Sequence, residues 1–179
     1  MLRGRPAHLA ASLLGAAALV AAGAPAVSAA TTTYRGTAND PAHDSTSTAA
    51  GLDITQVRAQ YKTDGSVVFT LVTRGRIDGS RHDAAFAVFL GTGGCSKVFA
   101  GGGGLLSQPD APVAFTATSQ TKLGKQRPAT GRLGTTSFQV RAKYAAFAGK
   151  APDCFTGALV NPKKNNAVID QVSITGMTR

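Results

Sequence analysis

The sequence contains no tryptophan and no glutamate. The absence of glutamate limits both the secondary structure and the catalytic chemistry open to the chain. All nine of its acidic residues are aspartates. Helical domains use glutamate freely because it is a good helix former, so its absence, beside many glycines, threonines and valines, favours strands and turns. Without glutamate the chain also lacks the commonest carboxylate pair of glycoside hydrolases, although two aspartates can take that role.

Cysteine is almost as scarce, since Cys95 and Cys154 are the only two. Two cysteines without nearby histidines cannot fill the four positions of a zinc site. In an exported chain two such thiols are expected to form a disulfide. A loop of this size would stabilise the fold by about 4 kcal/mol.

The only long apolar run lies at the N-terminus. Arg3 and Arg5 precede an apolar stretch over residues 9–22, and small residues follow up to Ala29 and Ala30. This order predicts a secretory signal peptide over residues 1–30, cleaved after Ala29 or Ala30. Because the stretch is shorter than the roughly 20 residues of a spanning helix, we expect a secreted, extracellular chain with no transmembrane segment after cleavage.

The predicted mature chain, residues 31–179, has the length of a single domain. Removing Arg3 and Arg5 from the 19 lysines and arginines leaves 17 against nine aspartates, a net charge of +8. We therefore expect extracellular partners to meet a basic surface.

Short alternating segments, separated by turn signals, recur about every ten residues. Eight or nine of them predict an all-β fold, a single antiparallel β-sandwich of jelly-roll or immunoglobulin-like type. Asp64-Gly65 predicts a hairpin, the glycines at 101–104 are expected to end a strand, and residues 122–134 are expected to form a basic turn region. The predicted strands are 31–37, 53–61, 67–73, 84–90, 95–100, 113–118, 138–143, 154–160 and 168–174, with a helical turn at 144–148.

The segment Asp40-Pro41-Ala42-His43-Asp44, followed by Leu52-Asp53-Ile54 and the Asp64-Gly65 hairpin, resembles the opening of a group of bacterial secreted β-sandwiches. That group is similar to DOMON domains and to family 9 carbohydrate-binding modules. The resemblance spans most of residues 31–176 and implies a sandwich that binds a ligand. His43 stands where the group usually has glycine. Haem-binding DOMON domains use a methionine and a histidine as axial ligands, and the one methionine after the predicted signal, Met177, lies near the C-terminus, so a haem site is not expected.

The acidic loop near the start of the domain is a candidate calcium site. Asp40, Asp44 and Asp53 could converge with backbone carbonyls around Ca²⁺, which takes six to eight oxygen ligands. The resemblance also implies calcium, since some related modules bind it. The alternative is that Asp40 and Asp44 form turns with their own backbone.

Basic residues cluster in loops, which suggests contact with an anionic cell-surface polymer or glycan if those loops lie at one end of the sandwich. The alternative is an ordinary solvated basic surface. No motif or aromatic interleaving indicates a specific nucleic acid. The candidates are Arg74, Arg76, Arg81, Lys122, Lys125, Arg127 and Arg132, with Lys163 and Lys164 in a third loop.

No catalytic set is apparent in the sequence. His43 and His82 each precede an aspartate, but adjacent strand residues point to opposite faces and rarely act together. A serine elbow of the Gly-x-Ser-x-Gly type is absent. We therefore expect a secreted non-enzymatic binding or interaction module. The alternatives are a secreted hydrolase of a surface polymer, with His82 and aspartates in a deep pocket, and a structural domain without a small ligand.

Overall fold

The computed structural model describes the backbone of residues 30–179, and the side chains of all of these residues except 173–175. The predicted signal peptide therefore lies outside the described residues, apart from its last position, Ala30. Within the described part, no helix is long and apolar enough to cross a membrane.

Strands account for about half of the described residues, and the other regular elements are three single-turn 3₁₀ helices at Ala50–Leu52, Ala145–Phe147 and Pro162–Lys164. The strands are β1 (Thr33–Asn39), β2 (Ile54–Lys62), β3 (Ser66–Thr73), β4 (Ala85–Thr92), β5 (Lys97–Leu105), β6 (Val113–Ala117), β7 (Leu123–Pro128), β8 (Thr130–Leu133), β9 (Ser137–Lys143), β10 (Cys154–Asn161) and β11 (Ala167–Gly176).

These strands build two antiparallel sheets, which confirms the predicted all-β sandwich. One sheet has five strands in the order β1-β2-β3-β9-β8, and the other has six in the order β11-β10-β4-β5-β6-β7. The core lies between them. For example, the rings of Phe86 on β4 and Phe138 on β9 are 6.2 Å apart between centroids, and both are buried. Each such burial contributes about 1.5–3 kcal/mol.

The period-two pattern of the sequence decides which face of the five-stranded sheet is buried. On β2, Val57, Ala59 and Tyr61 are buried, while Arg58 and Gln60 between them point outward. The predicted Asp64-Gly65 turn joins β2 to β3, with Gly65 at the positive φ of 87° that glycine tolerates. The polar half of each strand therefore faces away from the core.

The glycine run was expected to end a strand, and that prediction is wrong. Gly101–Gly104 lie inside β5, between β4 and β6. A side chain on Gly102 would meet the Phe69 ring at 2.8 Å, and one on Gly101 would meet the Phe115 ring. The run is thus a strand whose large neighbours occupy the space on both faces.

The strand count also differs from the prediction, because part of the expected basic turn region at 122–134 is extended. It holds β7 and β8, separated only by Ala129. All six residues of β7 are exposed, so no apolar alternation marks it in the sequence. The chain passes here directly from one sheet to the other.

Two further links join segments that are distant in the chain. A backbone bridge joins Arg35 on β1 to Thr178, with hydrogen bonds of 2.8 and 2.9 Å. The predicted disulfide between Cys95 and Cys154 is present, with the two Cα atoms 5.6 Å apart. It links the β4–β5 turn to the first residue of β10.

Candidate binding face and acidic pocket

Three carboxylates converge beside the loop that follows β1. Oxygens of Asp40, Asp44 and Asp170 all lie within 4.8 Å of one another. The loop is fastened to β11 because the backbone N–H and the hydroxyl of Thr46 both donate to the carbonyl of Ile169, at 2.9 and 2.8 Å. That attachment brings Asp170, which is distant in sequence, next to the two loop aspartates.

Asp53, the third predicted ligand, has a different partner. Its side chain is 1% exposed, and its Oδ2 accepts hydrogen bonds from the Arg74 Nε at 2.5 Å and the His43 backbone N–H at 2.9 Å. Asp53 thus anchors the loop to the β3–β4 connection. The structure brings Asp40 and Asp44 together with Asp170, a residue that the sequence analysis did not select.

Burial and hydrogen bonding shift the pKa values of three of these aspartates in different directions. Burial, together with Asp44, Asp170 and Asp53 nearby, raises the pKa of Asp40 to about 6. Burial also raises the pKa of Asp170, although backbone N–H groups of Ile54 and Gln171 oppose the shift. Burial would raise the pKa of Asp53 too, but its hydrogen bonds from Arg74 and His43 outweigh that effect and lower it.

The acidic cluster has the donor chemistry of a hard-cation site. Asp40 Oδ2 is buried and has no hydrogen-bond partner among the described residues. Three carboxylates supply oxygen ligands of the kind that Ca²⁺ prefers, and water and backbone carbonyls commonly complete its shell. A bound cation would also offset the repulsion between the carboxylates, which adds to the effect of burial in raising the pKa of Asp40.

The predicted basic loops do not come together. Arg74 pairs with Asp53, and Arg81 pairs with Asp83 at 2.8 Å. The β3–β4 loop, which carries both arginines, lies at the end of the six-stranded sheet where β4 begins. Lys122 lies beyond the opposite end of that sheet, where β6 stops. The remaining candidates are spread over both sheets: Arg76 in the β3–β4 loop, Lys125 and Arg127 on β7, Arg132 on β8, and Lys163 and Lys164 after β10.

A different basic surface occupies the outer face of the five-stranded sheet. It contains a groove of about 470 Å³ that crosses β1, β2, β3 and β9. None of the five strands of this sheet carries an acidic residue. Strand pairing arranges the outward side chains in two adjacent rows, one consisting of Arg35, Gln60, Val68 and Arg141, and the other of Thr37, Arg58, Thr70, Gln139 and Arg132.

Side-chain length gives this face its concave profile. The middle strand β3 contributes only the short outward side chains of Ser66, Val68 and Thr70, and the flanking strands contribute arginines. Amide and hydroxyl groups lie between the charges. We name the groove and its flanking arginines the basic groove, defined by Arg35, Arg58, Thr70, Arg132, Gln139 and Arg141.

Of the basic groove, sequence reasoning selected only Arg132. The signal for the others is the alternation of polar and apolar residues on β2 and β9, which identifies Arg58 and Arg141 as outward. The missing information was the strand order, because β9 joins β3 although five strands lie between them in the chain: β4 to β7, which belong to the other sheet, and β8, which pairs with β9.

The two histidines of the described part lie in separate loops, and both are exposed. His82 is flanked by Arg81 and Asp83, which form an ion pair with each other. His43 contributes its backbone N–H to Asp53. Neither histidine lines the basic groove.

Comparison with known proteins adds no relative. The chain matches no protein-family model, and no curated protein and no solved structure is significantly similar to it. The resemblance to DOMON-like and carbohydrate-binding domains therefore stays a prediction, and the site must be interpreted from its own geometry.

Proposed function

We propose that this domain is a secreted, non-enzymatic binding module that holds an extended cell-surface polymer or glycan on the outer face of its five-stranded sheet. The observation that carries the proposal is the basic groove, an open channel across four strands lined by arginine, glutamine, threonine and serine. Sites on strands are held more rigidly than sites on loops. The predicted signal peptide supports a location outside the cell, where such polymers occur.

The shape of the groove favours a polymer over a small molecule. Small-molecule sites are mostly apolar cavities that enclose their ligand, whereas this groove is only partly enclosed, and nine of its twelve lining residues have polar side chains. Hydrogen-bonding groups at several successive positions suit a repeating ligand. A ligand-binding sandwich of this kind also agrees with the resemblance to carbohydrate-binding modules.

A substitution that fills the groove without changing its charge tests this proposal. Thr70 points outward from the middle strand, and tyrosine is well tolerated in strands. We expect Thr70→Tyr to abolish retention on those members of a panel of neutral and anionic glycans that hold the wild-type protein. Thr118→Tyr, the same change at an exposed position after β6, is the control. Wild-type protein that binds no glycan, or a Thr70→Tyr variant that binds normally, would contradict the proposal.

We further propose that the acidic cluster binds Ca²⁺ and fixes the loop after β1. The unpartnered, buried Asp40 Oδ2 beside two further carboxylates supports this second role. Calcium at 100 times its dissociation constant should stabilise the protein by about 2.7 kcal/mol. We expect CaCl₂ to raise the melting temperature of the wild type and of Asp110→Asn, an exposed control, but not of Asp44→Asn. Equal responses of the two variants would contradict calcium binding at this cluster.

A further inference from the structure

We propose that the polymer held by the basic groove is an anionic polysaccharide, and that Arg58 and Arg141 are the residues that bind its carboxylate or sulfate groups. This inference rests on the proposed function and adds the chemical class of the ligand. It depends on four observations: the way these two arginines are oriented, the absence of acidic partners, the spacing of the arginines, and the side chains between them.

Both arginines are oriented by a glutamine of their own strand. The Nε of Arg141 donates to the side-chain oxygen of Gln139 at 2.6 Å, and the Nε of Arg58 donates to that of Gln56 in the same way. In each case the glutamine lies two residues earlier, on the same face of the strand. The same interaction therefore occurs on β2 and on β9, on either side of β3.

Each glutamine is in turn held by a neighbouring strand. The amide of Gln139 donates to the Thr70 hydroxyl at 3.2 Å, and that of Gln56 donates to the Asn39 side-chain oxygen at 2.7 Å. These chains of hydrogen bonds cross from β9 to β3 and from β2 to β1. An arginine held in this way loses less conformational entropy when a ligand binds.

The partners of the two arginines are neutral, so their charge is not compensated. Arg74 and Arg81 use their guanidinium groups in ion pairs with aspartates. Among the described residues, by contrast, neither Arg58 nor Arg141 has a carboxylate within ion-pair distance. The glutamines occupy only the Nε position, which leaves the outer N–H groups of each guanidinium for a ligand. A planar guanidinium binds carboxylate, sulfate or phosphate groups with two parallel hydrogen bonds.

The spacing of the arginines suits an extended chain. Arg58 and Arg141 are two strands and two residues apart, because Arg58 pairs with Thr70 and Arg141 with Val68. Standard sheet dimensions place their Cα atoms about 12 Å apart. Arg35 and Arg132 continue the charge on the outer strands. A linear polymer crossing β3 would thus meet an arginine on each side and pass over the short outward side chains of β3.

The side chains between the arginines favour sugars over nucleic acid. Thr37, Gln60 and Thr70 offer hydroxyl and amide groups, which match the hydroxyls of a sugar chain. No aromatic side chain lines the groove, whereas proteins that bind single-stranded nucleic acid use aromatic rings to stack the bases. Neutral sugars also commonly require such rings, so the charged groups must supply the main attraction here.

Binding measurements with defined polymers test the inference. The probes are polygalacturonate, which carries carboxylates, heparin, which carries sulfates, and neutral dextran, with single-stranded DNA as a competitor. We expect binding of at least one anionic polysaccharide, weakening as NaCl is raised because exposed charges are screened, and no binding of dextran. The carboxylate and sulfate probes distinguish the two sources of negative charge.

Paired substitutions assign the binding to the two arginines. We expect Arg58→Gln with Arg141→Gln to weaken binding at least tenfold. Lys122→Gln with Lys125→Gln removes the same charge from two exposed positions away from the basic groove, one just before β7 and one on it, and should change affinity less than twofold. Arg58→Lys with Arg141→Lys keeps the charge but loses the planar fork, and should weaken binding by an intermediate factor.

The outcomes separate this inference from the proposed function. If Thr70→Tyr abolishes binding but the arginine-to-glutamine pair has no effect, or if dextran binds as tightly as the anionic polymers, the binding face stands and the anionic ligand is wrong. If both lysine and arginine pairs weaken binding equally, the attraction is non-specific and the inference fails. DNA binding tighter than either polysaccharide would also overturn it.

Discussion

At the residue scale, the aspartates of this chain act in two opposite ways. Asp53 is buried but paired, and its ion pair with Arg74 fixes the loop after β1 to the loop after β3. Asp40 faces Asp44 and Asp170 and has no cation beside it among the described residues. The first arrangement stabilises the ionised carboxylate, and the second destabilises it.

Removing Arg74 should therefore be costly. Arg74→Ala leaves the Asp53 carboxylate buried without its cation, and breaking a buried pair in this way costs about 3–5 kcal/mol. Arg81→Ala is the matched control, because the Asp83 side chain of its pair is 36% exposed, against 1% for Asp53, and solvent-accessible pairs contribute about 0–1 kcal/mol. Urea denaturation of both variants measures the difference. Similar small losses in the two would show that Asp53 does not need its partner.

The pKa of Asp40 predicts a pH dependence of stability. Because the folded state binds this proton more tightly than the unfolded chain, the carboxyl's contribution is fully present below its ordinary pKa of 3.8 and is lost as pH rises through about 6. In buffers free of divalent cations, the wild type should therefore lose free energy of unfolding relative to Asp40→Asn between pH 4 and pH 6. A constant difference between the two proteins over that range would contradict the raised pKa.

The acidic cluster was only partly predictable from the sequence. Asp40 and Asp44 lie in one polar loop, so their proximity follows from spacing alone. Asp170 is more than 100 residues away and reaches them because β11 pairs with the loop through Ile169. Asp53 looked equivalent to Asp40 and Asp44 in the sequence, but it forms an ion pair with Arg74, 21 residues later, instead of joining the cluster.

At the scale of elements, the strands were predictable wherever apolar and polar residues alternate. β2, β3 and β9 lie within a residue or two of their predicted bounds because each has one buried face. β7 was missed because it is exposed on both sides, and its lysine and arginine are typical of an edge strand rather than of a core strand. β5 was shortened because glycine ordinarily weakens a strand.

The glycines of β5 make a prediction about packing. Gly102→Val would place a branched side chain against the ring of Phe69 between the sheets, and overpacking of this kind costs about 1–3 kcal/mol. We expect a lower melting temperature with unchanged secondary structure. Gly176→Val is the control, since the nearest atom to its new Cβ is 3.9 Å away. A Gly102→Val variant as stable as this control would show that the glycines are not needed for close packing.

At the scale of the whole molecule, the sandwich brings together segments that are distant in the chain. The basic groove joins strands from the first and last thirds of the domain, and the disulfide joins two cysteines 59 residues apart. The pairing of the cysteines followed from their number and the predicted compartment. The basic groove did not, since it depends on β9 returning to β3.

Loss of the disulfide should weaken the fold without abolishing it. In the chain-entropy model a loop of this length contributes about 4 kcal/mol, and a domain of this size buries a substantial core of its own. Cys95→Ser with Cys154→Ser should therefore lower the free energy of unfolding by about 4 kcal/mol and leave the circular dichroism spectrum unchanged. A variant that is unfolded in buffer would show that the core is insufficient alone.

The outer face of the five-stranded sheet is the proposed binding surface. Titration of a binding anionic polysaccharide into isotopically labelled protein, followed residue by residue by NMR, locates the bound polymer. We expect the largest amide shift changes on Thr37, Arg58, Thr70 and Gln139. Largest changes at Lys122, Lys125 and Arg76, with the sheet face unaffected, would contradict the proposal.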